Sequence, residues 1–145
     1  MTNVVKKHSI SHELAQNMVN AALAKARQLG VTENVAILDD GGNLKAFARM
    51  DGASVPTIEI AQRKAYTALF GVSTQDFFNF IQGDASLLAG IPALPRVAAW
   101  GGGFPIQVDG EIVGAIGVSG APKVENDVDC ARAALALVTD AVPAD

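Results

Sequence analysis

Asp109-Gly110 stands between two apolar runs, "FPIQV" and "EIVGAIGVS". Asp-Gly in that setting is a strong short-range signal for a tight hairpin, because the favoured two-residue turn needs positive φ at its centre. It commits the C-terminal half of the chain to antiparallel pairing of Phe104–Val108 with Glu111–Ser119. Asp40-Gly41-Gly42-Asn43 does the same further upstream. There an apolar strand containing Val35 and Ile37 turns back into Leu44, Ala46, Ala48 and Met50, which alternate with Lys45, Phe47 and Arg49. Two hairpins predict a mainly antiparallel sheet with helices packed on it, an α/β protein of the α+β kind.

The helices are legible from their ends and their spacing. Ser11 caps a helix that runs to Gly30, with Glu13 near its positive end, Lys25 and Arg27 near its negative end, and Leu14, Met18, Ala21, Ala22 and Leu29 on one face. A second helix, Thr57 to Leu69, follows Pro56. Its apolar face is Ile58, Ala61, Ala65, Ala68 and Leu69, with Lys64 at the flank and Glu59 and Arg63 turned away. Residues 73–96 form an irregular excursion with two short helical turns, at about 74–80 and 84–89, and excursions of this kind often cover a site. Phe77, Phe78 and Phe80 would be its packed underside. "VAAW" at 97–100 reads as a short strand, and a last helix from near Asp127 has Ala131, Ala134, Leu135 and Val138 as its inner row. Residues 1–10 read as a frayed arm or an edge element.

The 145 residues suit one domain, 1–145, with a core over about 11–140. A net charge of −4 argues against nucleic acid as a partner. No window offers the ~20 apolar residues that span a bilayer, and "MTNVVKKHSI" lacks a signal-peptide core. One cysteine excludes an internal disulfide, so a cytoplasmic address is the default expectation. Only 18% of residues are charged, too few to cover the surface of a small monomer, which predicts a homo-oligomer, a dimer or higher.

The familiar catalytic motifs are missing. No Gly-Lys-Ser/Thr phosphate loop, Gly-x-Gly-x-x-Gly turn or Gly-x-Ser-x-Gly elbow occurs. Cys130, inside the last helix, reads as a packed thiol. His8 and His12 are the only imidazoles, and His12 is the candidate single axial ligand for a haem iron. Arg49, Arg63, Lys64 and Arg96 are candidate carboxylate partners, with Lys64 the best placed. "KVENDVD" sets Glu125, Asp127 and Asp129 at a helix start, where capping competes with acid–base or metal roles. Gly101-Gly102-Gly103, between Trp100 and Phe104, offers backbone N–H groups beside aromatic walls. That is a floor for a flat or carboxylate-bearing ligand, or a bulge that needs positive φ.

Four blocks, "AALAKARQLG", "VAILDDGGNLKAFARMDGAS", "AQRKAYTALFGVST" and "GGGFPIQVDGEIVGAIGVSGAPKVENDVDCARAAL", lie in order over about residues 11–140. Together they resemble the GlcG/HbpS-like family, haem-degrading or haem-binding proteins that include the C-terminal domain of PduO. The resemblance implies a profilin-like domain with a five-stranded antiparallel sheet flanked by helices, assembled into dimers or larger rings. It implies haem or iron binding in some members, while others occur with glycolate, diol or aromatic catabolism. The family's lysine falls on Lys64, its glycine run on Gly101–Gly103, its acidic segment on Glu125–Asp127, and His12 is the nearest match to a haem-ligating histidine. Three functions follow as expectations. One is a ligand-binding protein, with Trp100 and Phe104 around a haem, Lys64 or Arg49 on its propionates and His12 on iron. Another is a small catabolic enzyme using Lys64, Glu125 and Asp127 on a carboxylate or carbonyl substrate. The last is a non-catalytic interaction module.

Overall fold

The computed structural model describes residues 3–141. Its elements run α1 (His12–Leu29), β1 (Asn34–Asp39), β2 (Leu44–Arg49), α2 (Pro56–Ala68), α3 (Thr74–Ile81), α4 (Ala85–Gly90), a 3-10 turn (Ile91–Ala93), β3 (Gly103–Val108), β4 (Glu111–Ser119) and α5 (Val124–Ala141). Both hairpins form. In the first, the Asp39 carboxylate accepts from the N–H groups of Gly41 and Asn43. In the second, Asp109 and Gly110 both take positive φ, the pairing that a two-residue turn of this hand requires.

The sheet has four antiparallel strands in the order β2-β1-β4-β3, not the five implied by the resemblance. Residues 97–100 form no strand. The Ala98 N–H donates instead to the Thr67 hydroxyl on α2, so this segment docks on a helix and pairs with no strand. The last helix starts three residues earlier than expected, at Val124. Ser11 caps α1 by accepting from Leu14, and Gly30 closes it in the left-handed region. Of the N-terminal arm, residues 7–10 are docked rather than frayed: Ile10 is buried and its N–H donates to the Val113 carbonyl, while Lys7 pairs with Asp40 and His8 with Glu111.

The two faces of the sheet are packed differently, and strand alternation explains why. Val35, Ile37, Ile116 and Val118 point to one face, where they meet α1 and α5 in the main core with Met18, Ala22, Ala131 and Ala134. Ala36, Leu38, Ala115 and Gly117 occupy the alternate positions and meet α2. Small residues there let α2 lie almost on the strand backbone. A Cβ on Gly117 would collide with the Ala61 carbonyl and come within 2.6 Å of the Ala65 nitrogen. Of the expected aromatic underside, Phe77 is buried and stacks on Phe70 at 4.7 Å, whereas Phe80 is 67% exposed. Neither α4 nor the 3-10 turn buries a residue, although both are apolar.

Candidate functional site

The close approach of α2 carries Lys64 inward, not to the flank. Its side chain is fully buried and its Nζ donates to the Val118 carbonyl at 2.9 Å and to Asp127 Oδ2 at 3.0 Å. Asp127, in the first turn of α5, is 3% exposed. Its other oxygen accepts from the Ala121 N–H at 3.2 Å, and that N–H is shared with Glu33 Oε2. Glu33 shares the inward face of Val35 and Ile37 and is itself fully buried. Burial, then the hydrogen bond and charge of Asp127, push the Glu33 carboxyl up to about 9, so it holds its proton at neutral pH. Burial also lowers the Lys64 ammonium from its usual range, against the pull of Asp127. Cys130, buried beside these acids, is pushed up to about 12 and is an unreactive thiol at neutral pH.

The glycine run forms one wall of this cluster. A Cβ on Gly102, at φ +123°, would lie 2.6 Å from the Val118 carbonyl and 2.8 Å from Lys64 Nζ. On Gly103 it would meet the Lys64 carbonyl and Thr74, and on Gly101 it would meet Val124 and Val128. Close packing therefore disfavours a side chain at all three glycines, whereas the positive φ expected of a bulge occurs at Gly102 alone. They also line a cleft of about 510 Å³, together with Phe104, Gln75, Asp76 and Arg132. The Arg132 guanidinium lies 5.6 Å from the Phe104 ring centroid.

Trp100 does not join that cleft. Its indole, 42% exposed, walls a second cleft of about 550 Å³ with Ile60, Phe78, Leu88 and Ile91, and Lys64 Nζ lies 5.7 Å from its centroid. Arg49 is exposed at the end of β2, the sheet edge opposite β3, so it lies about 14 Å of strand spacing from Phe104. Arg63 pairs with Glu59 at 2.8 Å, and Arg96 lies over the Tyr66 ring at 3.7 Å. Glu125 is exposed. His12 is exposed on the first turn of α1, beyond Ile10, which bonds to Val113; the glycine run pairs four residues further along β4, at Gly117. His12 and the glycine run are thus at opposite ends of the strand.

Lys64 and Asp127 are brought together, as are Gly101–Gly103 and Phe104. Glu33 and Arg132 were missed. Glu33 was legible as a charge in phase with the inward residues of β1, and Arg132 as the single cation within an apolar helix stretch one turn after Val128.

An antiparallel sheet between one helix and a helix pair, with a buried lysine–carboxylate pair behind a glycine wall, defines an α+β protein with a cleft at the sheet's end. The chain belongs to the HbpS-like family: residues 10–136 match the family described as haem degrading protein HbpS-like. It is 36% identical over 129 residues to an uncharacterized 15.0 kDa protein of the dhaT-dhaS intergenic region of Citrobacter freundii, covering 88% of this chain and 90% of that one. Among solved structures it is similar to Klebsiella pneumoniae ORFY, with a TM-score of 0.88, 30% identity and coverage of 96% and 97% of the two chains. It is also similar to PduOC in a PduOC:haem complex, with a TM-score of 0.80, 30% identity and coverage of 88% and 94%.

Proposed function

We propose that the protein binds a small molecule in the cleft floored by Gly101–Gly103. The observation that carries this reading is the cleft itself. It encloses about 510 Å³, within the usual range for small-molecule sites, and is walled by the Phe104 ring and the Arg132 guanidinium. Membership of a family described by haem chemistry, and the haem complex of PduOC, support a ligand-binding role. Lys64 and Asp127 line neither of the two large clefts and serve each other, which favours binding over catalysis by those side chains.

Haem does not fit either cleft. Its iron takes His, Cys, Met or Tyr as a protein ligand, and no such residue lines the glycine-floored cleft or the Trp100 cleft. Haem binding in this chain rests on the exposed His12, apart from both. Added hemin is expected to give a Soret band that His12→Ala abolishes and that Gln75→Trp, which fills the cleft, leaves intact. Loss of the band in Gln75→Trp would overturn this separation.

The cleft is tested by thermal-shift screening against small-molecule collections. Compounds that raise the melting temperature of the wild type but not of Gln75→Trp support it. A screen in which nothing stabilises the wild type overturns it. The exposed side chains of Val55, Phe80, Leu88 and Leu94 support the homo-oligomeric reading.

A further inference from the structure

Two of the residues that line the cleft carry backbone donors with no acceptor among the described residues, and these narrow the ligand further. The Gly103 N–H donates to the Thr74 hydroxyl at 2.9 Å, and the Gly102 carbonyl accepts from Val118. The N–H groups of Gly101 and Gly102 find no acceptor among the described residues, although both glycines are buried. Buried backbone N–H groups are almost always paired, and the open space these two residues adjoin is the cleft. Arg132, on the same wall, makes no hydrogen bond or ion pair among the described residues. Ser73 and Gln75 bring the first turn of α3 to the rim, with its surplus of N–H groups. One carboxylate, Asp76, lies among the lining residues.

We infer that the ligand of this cleft carries a carboxylate, held by the Gly101 and Gly102 N–H groups and paired with the Arg132 guanidinium. Donors without acceptors select an acceptor-only group, and a planar fork on Arg132 matches a planar carboxylate. Phe104, beside Arg132, gives the rest of the ligand an apolar, flat wall. Arg132 is the specificity-determining residue, and Asp76 is a repulsive counterweight that limits affinity. This inference rests on the cleft being the ligand site.

The test uses benzoate and its uncharged isostere benzamide, titrated into the ¹⁵N-labelled full-length protein. Benzoate is expected to shift the Gly101 and Gly102 amide resonances saturably, and benzamide to bind at least about tenfold more weakly. Arg132→Gln, an exposed position whose fold is checked from the same spectra, is expected to weaken benzoate about tenfold. Arg132→Lys restores part of the loss, and Asp76→Asn tightens binding. Equal binding of benzoate and benzamide, or benzoate binding indifferent to Arg132→Gln, would overturn the carboxylate assignment and leave the cleft reading standing. Amides unmoved by benzoate while the screen finds binders sensitive to Gln75→Trp would do the same. If the screen finds no such binders, both readings fall.

Discussion

Lys64 Nζ lies 3.0 Å from Asp127 Oδ2, with both side chains shut off from solvent, and Gly102 passes so close that it has no room for a methyl group. The pair joins α2 to α5 across the end of β4. Each charge is tolerated only because the other is present. Lys64→Met is therefore expected to cost about 3–5 kcal/mol in urea unfolding, and Asp127→Leu a similar amount. The double variant should lose much less than the sum, because it leaves no uncompensated charge. Additive losses would show that the two residues act independently.

Glu33 adds a pH dependence. Its carboxyl titrates at about 9 in the fold and near 4.5 when exposed, so between those values the folded state binds more protons than the unfolded one. Its stabilising contribution is complete below pH 4.5 and is lost as pH rises towards and through 9. Glu33→Gln keeps the shape without a titrating proton. Relative to wild type it should become progressively more stable from pH 5 to pH 9, because only the wild type must give up a bound proton over that window. A difference between the two that stays constant over this range, measured by chemical denaturation, would refute the assignment.

Two glycine substitutions separate close packing from turn geometry. Gly117→Ala drives a methyl group into the Ala61 carbonyl, a backbone atom that cannot step aside, and should cost more than about 3 kcal/mol. Gly110→Ala meets no atom within 4 Å and is strained only by its φ of +79°, so a loss of about 1 kcal/mol is expected. The order of the two melting temperatures is the measurement.

Oligomerisation is read by light scattering on a sizing column. The wild type should elute as a dimer or larger. Paired Phe80→Asp and Leu94→Asp substitutions on the exposed apolar surface should shift it towards 15 kDa without unfolding it. A wild-type monomer would refute this.

Local chemistry made most of the architecture readable. Asp109-Gly110 and the Asp39–Asn43 turn set both hairpins, and Ser11 and Gly30 bounded the first helix. The pairing of strands distant in the chain was not readable in this way. "VAAW" has strand composition, yet Thr67 supplies the acceptor that its backbone takes. The site was legible in part. Lys64 and Asp127 were both singled out, but their burial against each other depends on Gly117 drawing α2 inward, a tertiary effect. Trp100 and Phe104 are four residues apart and face different clefts, because the chain turns at Gly102 between them. Arg132 was legible only as a lone cation in an apolar helix stretch, and its place beside Phe104 is a tertiary effect.

Contact between α2 and the β4 backbone at Gly117 leaves no space between helix and strand for a side chain. The wall at Gly101–Gly103 leans on that helix through the Lys64 carbonyl, so its shape is settled before anything arrives. A mould of this stiffness sorts visitors by outline and charge. Any adjustment to an awkward guest must come from the rim, at Gln75 and Arg132.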